Sequence, residues 1–177
     1  MLQWVGEQTL AGTVSVLGAG AFDLVFTGIG ALCWLPSISR WAEVVASLLR
    51  PGGRLFIREG HPMLWATQDG RDDDLLVVEY PYFECQEPLV LDSGGTYVET
   101  DAVFTHTVTH EWNHGLGQVV TALLEAGLTI TALIEHDSVP WEALPGLMTL
   151  DATGEWHLAD RPSRLPLSYT LQAVRTP

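Results

Sequence analysis

The sequence predicts an α/β fold carrying an antiparallel β-hairpin insert. Three observations lead there: two short apolar runs flanking an amphipathic helix, a middle stretch rich in β-branched and aromatic residues, and a later helix followed by strands. The chain has 177 residues and 47% hydrophobic content, enough for one domain around one core.

The first run, Phe22 to Phe26, is nearly continuous in apolar residues, the pattern of a strand covered on both faces. It ends at Thr27-Gly28-Ile29-Gly30, where glycines permit positive φ or close backbone approach. A helix is predicted from Ser37 to Leu49, because Ile38, Trp41, Val45, Leu48 and Leu49 recur on one face. Arg50-Pro51-Gly52-Gly53 stops it, and a second strand runs from Arg54 to Glu59, ending at Gly60-His61-Pro62. Strand, crossover helix and strand at this spacing form a βαβ unit with parallel strands.

In the middle, Leu75–Phe83, Thr96–Thr100 and Ala102–His110 read as strands of antiparallel hairpins, separated by turn signals such as Asp92-Ser93-Gly94-Gly95. A helix resumes near Leu116, with Asn113 as its expected N-cap and Gly127 as its C′ residue. Leu128–His136 is a strand, a connection covers Val139–Pro166, and Ser168–Val174 is the last strand.

With 8 Arg, no Lys and 22 acids, the formal net charge of -14 argues against nucleic acid or an anionic membrane as partner. No apolar run reaches the ~20 residues a bilayer needs. Residues 69–111 hold 11 of the acids against Arg71 alone, the mark of a solvent-facing insert, placed at 66–112. The start of the chain (MLQWVGEQ) lacks the basic stretch of a signal peptide, and Cys33 and Cys85 are too few for a disulfide scaffold. A cytoplasmic location is the expectation.

In open parallel sheets ligands bind outside the carboxyl ends of the strands, which here means Thr27–Gly30 and Glu59–Pro62. The first stretch suits an adenosine or amino-acid moiety, and the second brings Glu59 and His61 to the same rim. Each has a plainer reading, as a tight turn and as a backbone-bonded histidine.

FDLVFTGIGALCWL followed by a helix and LLRPGGRLFIREGHP resembles the fourth and fifth strands of class I S-adenosylmethionine-dependent methyltransferases. GQVVTALLEAGLTITALIEHDSVPW is similar to that family's late helix and sixth strand, and SYTLQAV to its antiparallel seventh strand. The resemblance covers roughly residues 22 to 175. It implies a partial Rossmann-like sheet, mostly parallel with an antiparallel last strand, and an insert where the family places substrate-recognition elements. It also implies methyl transfer from S-adenosylmethionine to a small-molecule acceptor, with Thr27, Gly28, Ile29 and Gly30 touching the cofactor.

The family's glycine-rich loop and ribose-binding acid have no counterpart here, since only 21 residues precede Phe22. The 177 residues are therefore expected to form a single truncated methyltransferase-like domain. Leu2–Val5 could be a vestige of the third strand, with the adenine-side acid falling near Glu7 or Gln8. Gly18-Ala19-Gly20 precedes a strand instead of following one and is not the missing loop. The resemblance thus implies weak or absent cofactor binding. It also implies an edge at the Phe22 strand unless Thr13–Leu17 or another chain covers it, and hence a homo-oligomer.

His61 and His114 are the candidate catalytic bases, with imidazoles able to take a proton near neutral pH. Glu59, Trp34, Trp65 and Trp112 are the candidate acceptor-binding residues. A buried structural thiol is the reading of Cys33.

A competing motif, His110-Glu111-Trp112-Asn113-His114, matches HExxH, with Glu135 as a third possible ligand and His106 extending the spacing. The threonines and valine before it favour a strand, in which His110 and His114 lie ~13 Å apart, too far to share zinc. No metal is expected. The reading is thus the C-terminal portion of a methyltransferase. An inactive remnant acting as a binding or oligomerisation module stands second, and a zinc-dependent hydrolase third.

Overall fold

Alternating apolar side chains and a capped helix build the frame early in the chain. The computed structural model describes residues 12, 14–71, 73–92 and 105–176. Strand β1 (Phe22–Thr27) pairs in parallel with β2 (Leu49–Gly60), and helix α1 (Ile38–Leu48) crosses between them. Ser37 caps α1: its backbone is extended and its hydroxyl accepts from Arg40 N at 3.3 Å. The predicted apolar face of Ile38, Trp41, Val45 and Leu48 is buried.

Arg50–Gly53 differ from expectation, because they extend β2 and do not link helix to strand. Pairing jumps from Phe22↔Leu49 to Leu24↔Arg54, so the extra residues bulge. Gly52 takes a φ of +76°, and a Cβ on Gly53 would lie 2.8 Å from the Arg50 carbonyl oxygen and 2.9 Å from that of Phe22. The two breakers thus close a bulge that side chains would block.

The sheet has the order β1-β2-β9-β5, where β5 is Leu128–His136 and β9 is Ser168–Arg175. β9 runs antiparallel to both neighbours, so β1, β2 and β5 point one way. Helix α2 (Leu116–Glu125) packs with α1, and Val45, Leu55, Ile57, Val119, Leu123 and Leu171 meet in the core between helices and sheet. Gly115, not Asn113, is the N-cap of α2, and its N–H donates to the Gln118 side chain at 2.9 Å. Gly127 ends α2 at a φ of +84°, as predicted.

The expectation that β1 is covered on both faces fails. Leu24 and Phe26 are 56% and 64% exposed, because the helices cover only the other face. β1 is also an edge among the described residues, since 14–17 are helical and do not pair with it. Leu2–Val5, Glu7 and Gln8 lie outside the described residues.

In the insert, Leu75–Phe83 is not a strand. Val78 makes a single bridge to Thr67, and Pro81 has no N–H to continue a ladder. A hairpin-like pair does form further on, β3 (Leu89–Asp92) against β4 (Val108–Glu111). Thr96–Thr100 and Ala102–Phe104 lie outside the described residues.

The connection 139–166 folds into more than a loop. β6 (Ser138–Val139), β7 (Met148–Leu150) and β8 (Trp156–Leu158) form a small sheet of order β6-β8-β7. It closes a second core of Leu64, Val139, Leu144, Met148, Leu158 and Leu167. Among the described residues no helix is long and apolar enough to cross a membrane.

Candidate functional site at the carboxyl ends of β1 and β2

Alternation along β2 turns Leu55, Ile57 and Glu59 into the protein, and Glu59 arrives at the strand end just beneath the loop that leaves β1. One carboxylate oxygen, Oε1, accepts from the N–H groups of Gly30 and Gly60, the latter at 2.8 Å. The other, Oε2, accepts from Ala31 at 2.9 Å and Leu32 at 3.1 Å. Burial outweighs these four bonds and holds the carboxyl above the usual carboxylate range. Glu59 therefore braces the Gly30–Leu32 turn, and its oxygens are already shared between two donors each. Gly30 has a φ of +77° with open space above its Cα, so the rim presents bare backbone there, while Ile29 packs against the second core.

His61 follows, 3% exposed. Its Nδ1 accepts from Met63 N at 3.0 Å and caps the one-turn helix Pro62–Trp65. Its Nε2 stands 3.0 Å from Glu135 Oε1 but off the line of a formed hydrogen bond. Burial pushes its pKa below the ordinary value, against the opposing pull of Glu135. The acceptor role of Nδ1 also favours the neutral ring.

A small cleft opens between Leu32, Cys33, Glu59, Trp65, Trp112 and Tyr169, with room for about one water-sized group. His114 also borders it. Its Nδ1 lies 2.7 Å from Glu84 Oε2, and its Nε2 lies 3.2 Å and 2.8 Å from the carbonyl oxygens of Leu32 and Leu35. Every polar neighbour of the ring is an acceptor, so neither nitrogen is open to take a proton from a ligand. Glu84 Oε2 also accepts from Ile38 N at 2.9 Å. Together they clasp the insert to α1 and to the turn after β1.

The tryptophans divide. Trp65 stacks on Trp141, with centroids 5.8 Å apart, and shares the cleft with Trp112, Glu59 and His114. Trp112 is 7% exposed and its backbone N–H donates to the Cys33 carbonyl at 2.9 Å. Trp34 is 41% exposed on the turn after β1 and is not part of the cleft wall. The Cys33 thiol, pushed up to about 12 by burial and by nearby Glu111 and Glu59, stays protonated.

The HExxH stretch has no helix. His110 pairs with Val90 inside β4, and 112–115 are irregular, so His110 and His114 do not share a helical face. Among the described residues no group of three His, Cys, Asp or Glu could hold a metal ion.

Four residues hold the site in roles the sequence did not signal, Asn113 among them, since it was expected only as a helix cap. Glu84 is the clasp. Asn113 Nδ2 donates to the carbonyls of Pro62 at 2.8 Å and Pro81 at 2.9 Å. The Tyr82 hydroxyl accepts from Leu116 N at 3.2 Å, and Gln118 Oε1 accepts from both Gly115 and Glu84 N–H groups. Only the acidic, aromatic composition of 79–87 hinted that the segment does anything beyond facing solvent.

No protein-family model and no curated protein matches the chain. Solved structures do. One, assigned as an S-adenosylmethionine dependent methyltransferase from Listeria monocytogenes, superposes with a TM-score of 0.55 at 14% identity over 91% of this chain and 64% of that one. Another, an S-adenosylmethionine dependent methyltransferase from Mesorhizobium loti, gives 0.54 at 17% identity over 90% of this chain and 64% of that one. The chain thus spans just under two-thirds of the length of either protein. Its fold is the Rossmann-like α/β fold of S-adenosylmethionine-dependent methyltransferases, mostly parallel with one antiparallel strand.

Proposed function

We propose that the chain is the acceptor-side portion of a methyltransferase that moves a methyl group from S-adenosylmethionine to a small molecule. The observation that carries this is the rim: the Thr27–Gly30 turn, open at Gly30 and braced by Glu59 at the carboxyl ends of two parallel strands in this fold. Thr27, Gly28, Ile29 and Gly30 fit one side of the cofactor, with the two glycines offering backbone free of a side chain. The rim's own acid, Glu59, is fully engaged and has no oxygen spare for ribose hydroxyls. Of the weak or absent binding expected for this chain alone, we propose the weak case, with the Thr27–Gly30 rim making the contact.

When bound, S-adenosylmethionine would supply a methyl group on a sulfonium centre. The chain's part is alignment. Glu59 fixes the turn, His114 and Glu84 fix the insert against it, and His61 fixes the turn into Trp65. Trp65 and Trp112 wall the cleft beside the rim, and Trp34 stands outside it. We assign His114 to positioning because both its nitrogens face protein acceptors, and His61 because its Nδ1 caps the turn into Trp65 and its Nε2 faces Glu135.

Incubation with methyl-labelled S-adenosylmethionine and a panel of small phenols, amines and thiols tests the reading. Label should enter at least one acceptor, and a bulky Gly28→Val change, where the backbone tolerates a side chain, should abolish transfer while leaving the fold intact by circular dichroism. Absence of label from every acceptor, with the protein folded and cofactor-saturated, contradicts it.

A second reading has its own observation, the exposed Leu24 and Phe26 on the β1 edge. Such an edge favours pairing with another copy, so we propose a homo-oligomer through β1. Light scattering on wild type and a Phe26→Lys variant decides this: the wild type should associate and the variant should not.

A further inference from the structure

We infer that Tyr169 and Trp65 form the oxygen-holding end of the acceptor site, and that the acceptor is a small uncharged molecule entering with a hydroxyl, carbonyl or ether oxygen. This deepens the methyl-transfer reading and rests on the cleft being its acceptor site.

The inference comes from two hydrogen-bond donors beside the cleft that have no protein partner among the described residues. Tyr169 is 1% exposed, borders the cleft, and its hydroxyl has no hydrogen-bond partner among the described residues. The hydroxyl is not among the atoms sealed from solvent without a partner, so a ligand oxygen can reach it in place of water. The ring is held in place: it sits opposite Glu59 on one side and Glu135 on the other in the sheet, and meets His61 edge to face at 6.2 Å.

Trp65, which is half-buried, also borders the cleft, and its indole N–H has no protein partner among the described residues. The indole is fixed from two sides, by its stack on Trp141 and by close contact with Gly60. A Cβ added at Gly60 would come within 2.5 Å of the ring and 2.8 Å of its nitrogen. Gly60 is therefore the residue that lets this donor reach the cleft.

The other polar groups lining the cleft are taken. Glu59 accepts four N–H groups, Asn113 spans two carbonyls, both nitrogens of His114 face acceptors, and the Cys33 thiol donates to the Gly30 carbonyl. An indole N–H only donates. Burial, with the Glu59 carboxyl beside it, keeps the proton on the Tyr169 phenol, so it too is a donor. Two donor residues bordering a space of about one water molecule suit an acceptor atom, and oxygen is the size that fits. The same Glu59 charge opposes a carboxylate there. Only the tip of the ligand enters, and the remainder lies toward the rim.

Titration of the 15N-labelled chain with phenol, without S-adenosylmethionine, tests this. Benzoate serves as the anionic counterpart, and Trp65→Phe assigns the Trp65 indole resonance. That resonance should move saturably with phenol, and Tyr169→Phe and benzoate should each weaken binding at least tenfold. Tyr169→Phe removes an atom without a protein partner, so its melting temperature should equal or exceed that of wild type. An unmoved Trp65 resonance, a Tyr169→Phe variant that binds phenol like wild type, or one that melts much lower would each overturn the assignment. Equal binding of benzoate would overturn its uncharged ligand class. Because no cofactor is present, saturable phenol binding without later methylation would count against the methyl-transfer reading alone.

Discussion

Replacing Glu59 with glutamine probes the brace that shapes the rim. The carboxylate accepts four backbone N–H groups, two on each oxygen. Glutamine keeps one acceptor oxygen and turns an NH2 group toward the other two donors, so two backbone N–H groups lose their partner. An orphaned buried donor costs about 1–3 kcal/mol, which gives roughly 2–6 kcal/mol for two. Part of this is returned, because the substitution also removes a carboxylate whose burial is unfavourable. A net loss of about 2–4 kcal/mol at neutral pH is expected, equivalent to roughly 5–15 °C in melting temperature for a chain of this size. Urea unfolding followed by tryptophan fluorescence measures it. Hydrogen exchange adds a local readout: the amides of Ala31 and Leu32 should exchange at least about tenfold faster, beyond the global change. A Glu59→Gln protein within about 0.5 kcal/mol of wild type, with unchanged exchange at these amides, would refute the brace.

Other perturbations follow from the same geometry. His114→Ala leaves the Leu32 and Leu35 carbonyls and Glu84 without their shared partner and should cost about 2–4 kcal/mol. A double-mutant cycle with Glu84→Ala should then show coupling above about 1 kcal/mol, whereas additive effects contradict the clasp. His61 has a depressed folded pKa, so the unfolded chain takes up its proton first. Its contribution is fully present above about pH 6.5 and is lost as pH falls through the folded value. The stability difference between wild type and His61→Gln should therefore shrink toward acid, and a difference constant from pH 8 to 5 would sink this reading. A thiol reagent at pH 8 should label exposed Cys85 in the folded protein and reach Cys33 only after denaturation. Rapid labelling of both would contradict the buried thiol.

Wherever local chemistry and packing agree, the sequence announced the structure. The helix from Ile38 carries an apolar face and a serine cap that nothing tertiary overrides, whereas pairing with β1 draws the breakers after it into β2. The same holds for β1, β5, β9 and the Gly127 stop. Leu75–Phe83 misled because its β-forming residues are used otherwise: Leu76 packs against the second core and Tyr82 holds the start of α2. The strands of 138–158 are two or three residues long, too short for alternation to register. At the site, the position of Glu59 at a strand end was legible, but its role was not. Which groups satisfy an isolated carboxylate depends on the loop folding back over it. The donors of Tyr169 and Trp65 that lack a protein partner were likewise invisible, since a missing partner is a property of the assembled cleft.

The most direct test of the central claim is a titration of the 15N-labelled chain with S-adenosylmethionine, read amide by amide so that weak binding still registers. The account predicts shifts concentrated at Thr27, Gly28, Ile29 and Gly30, with the helical amides of α1 and α2 unmoved. Shifts absent at that rim up to millimolar cofactor, or confined to another surface, would contradict it.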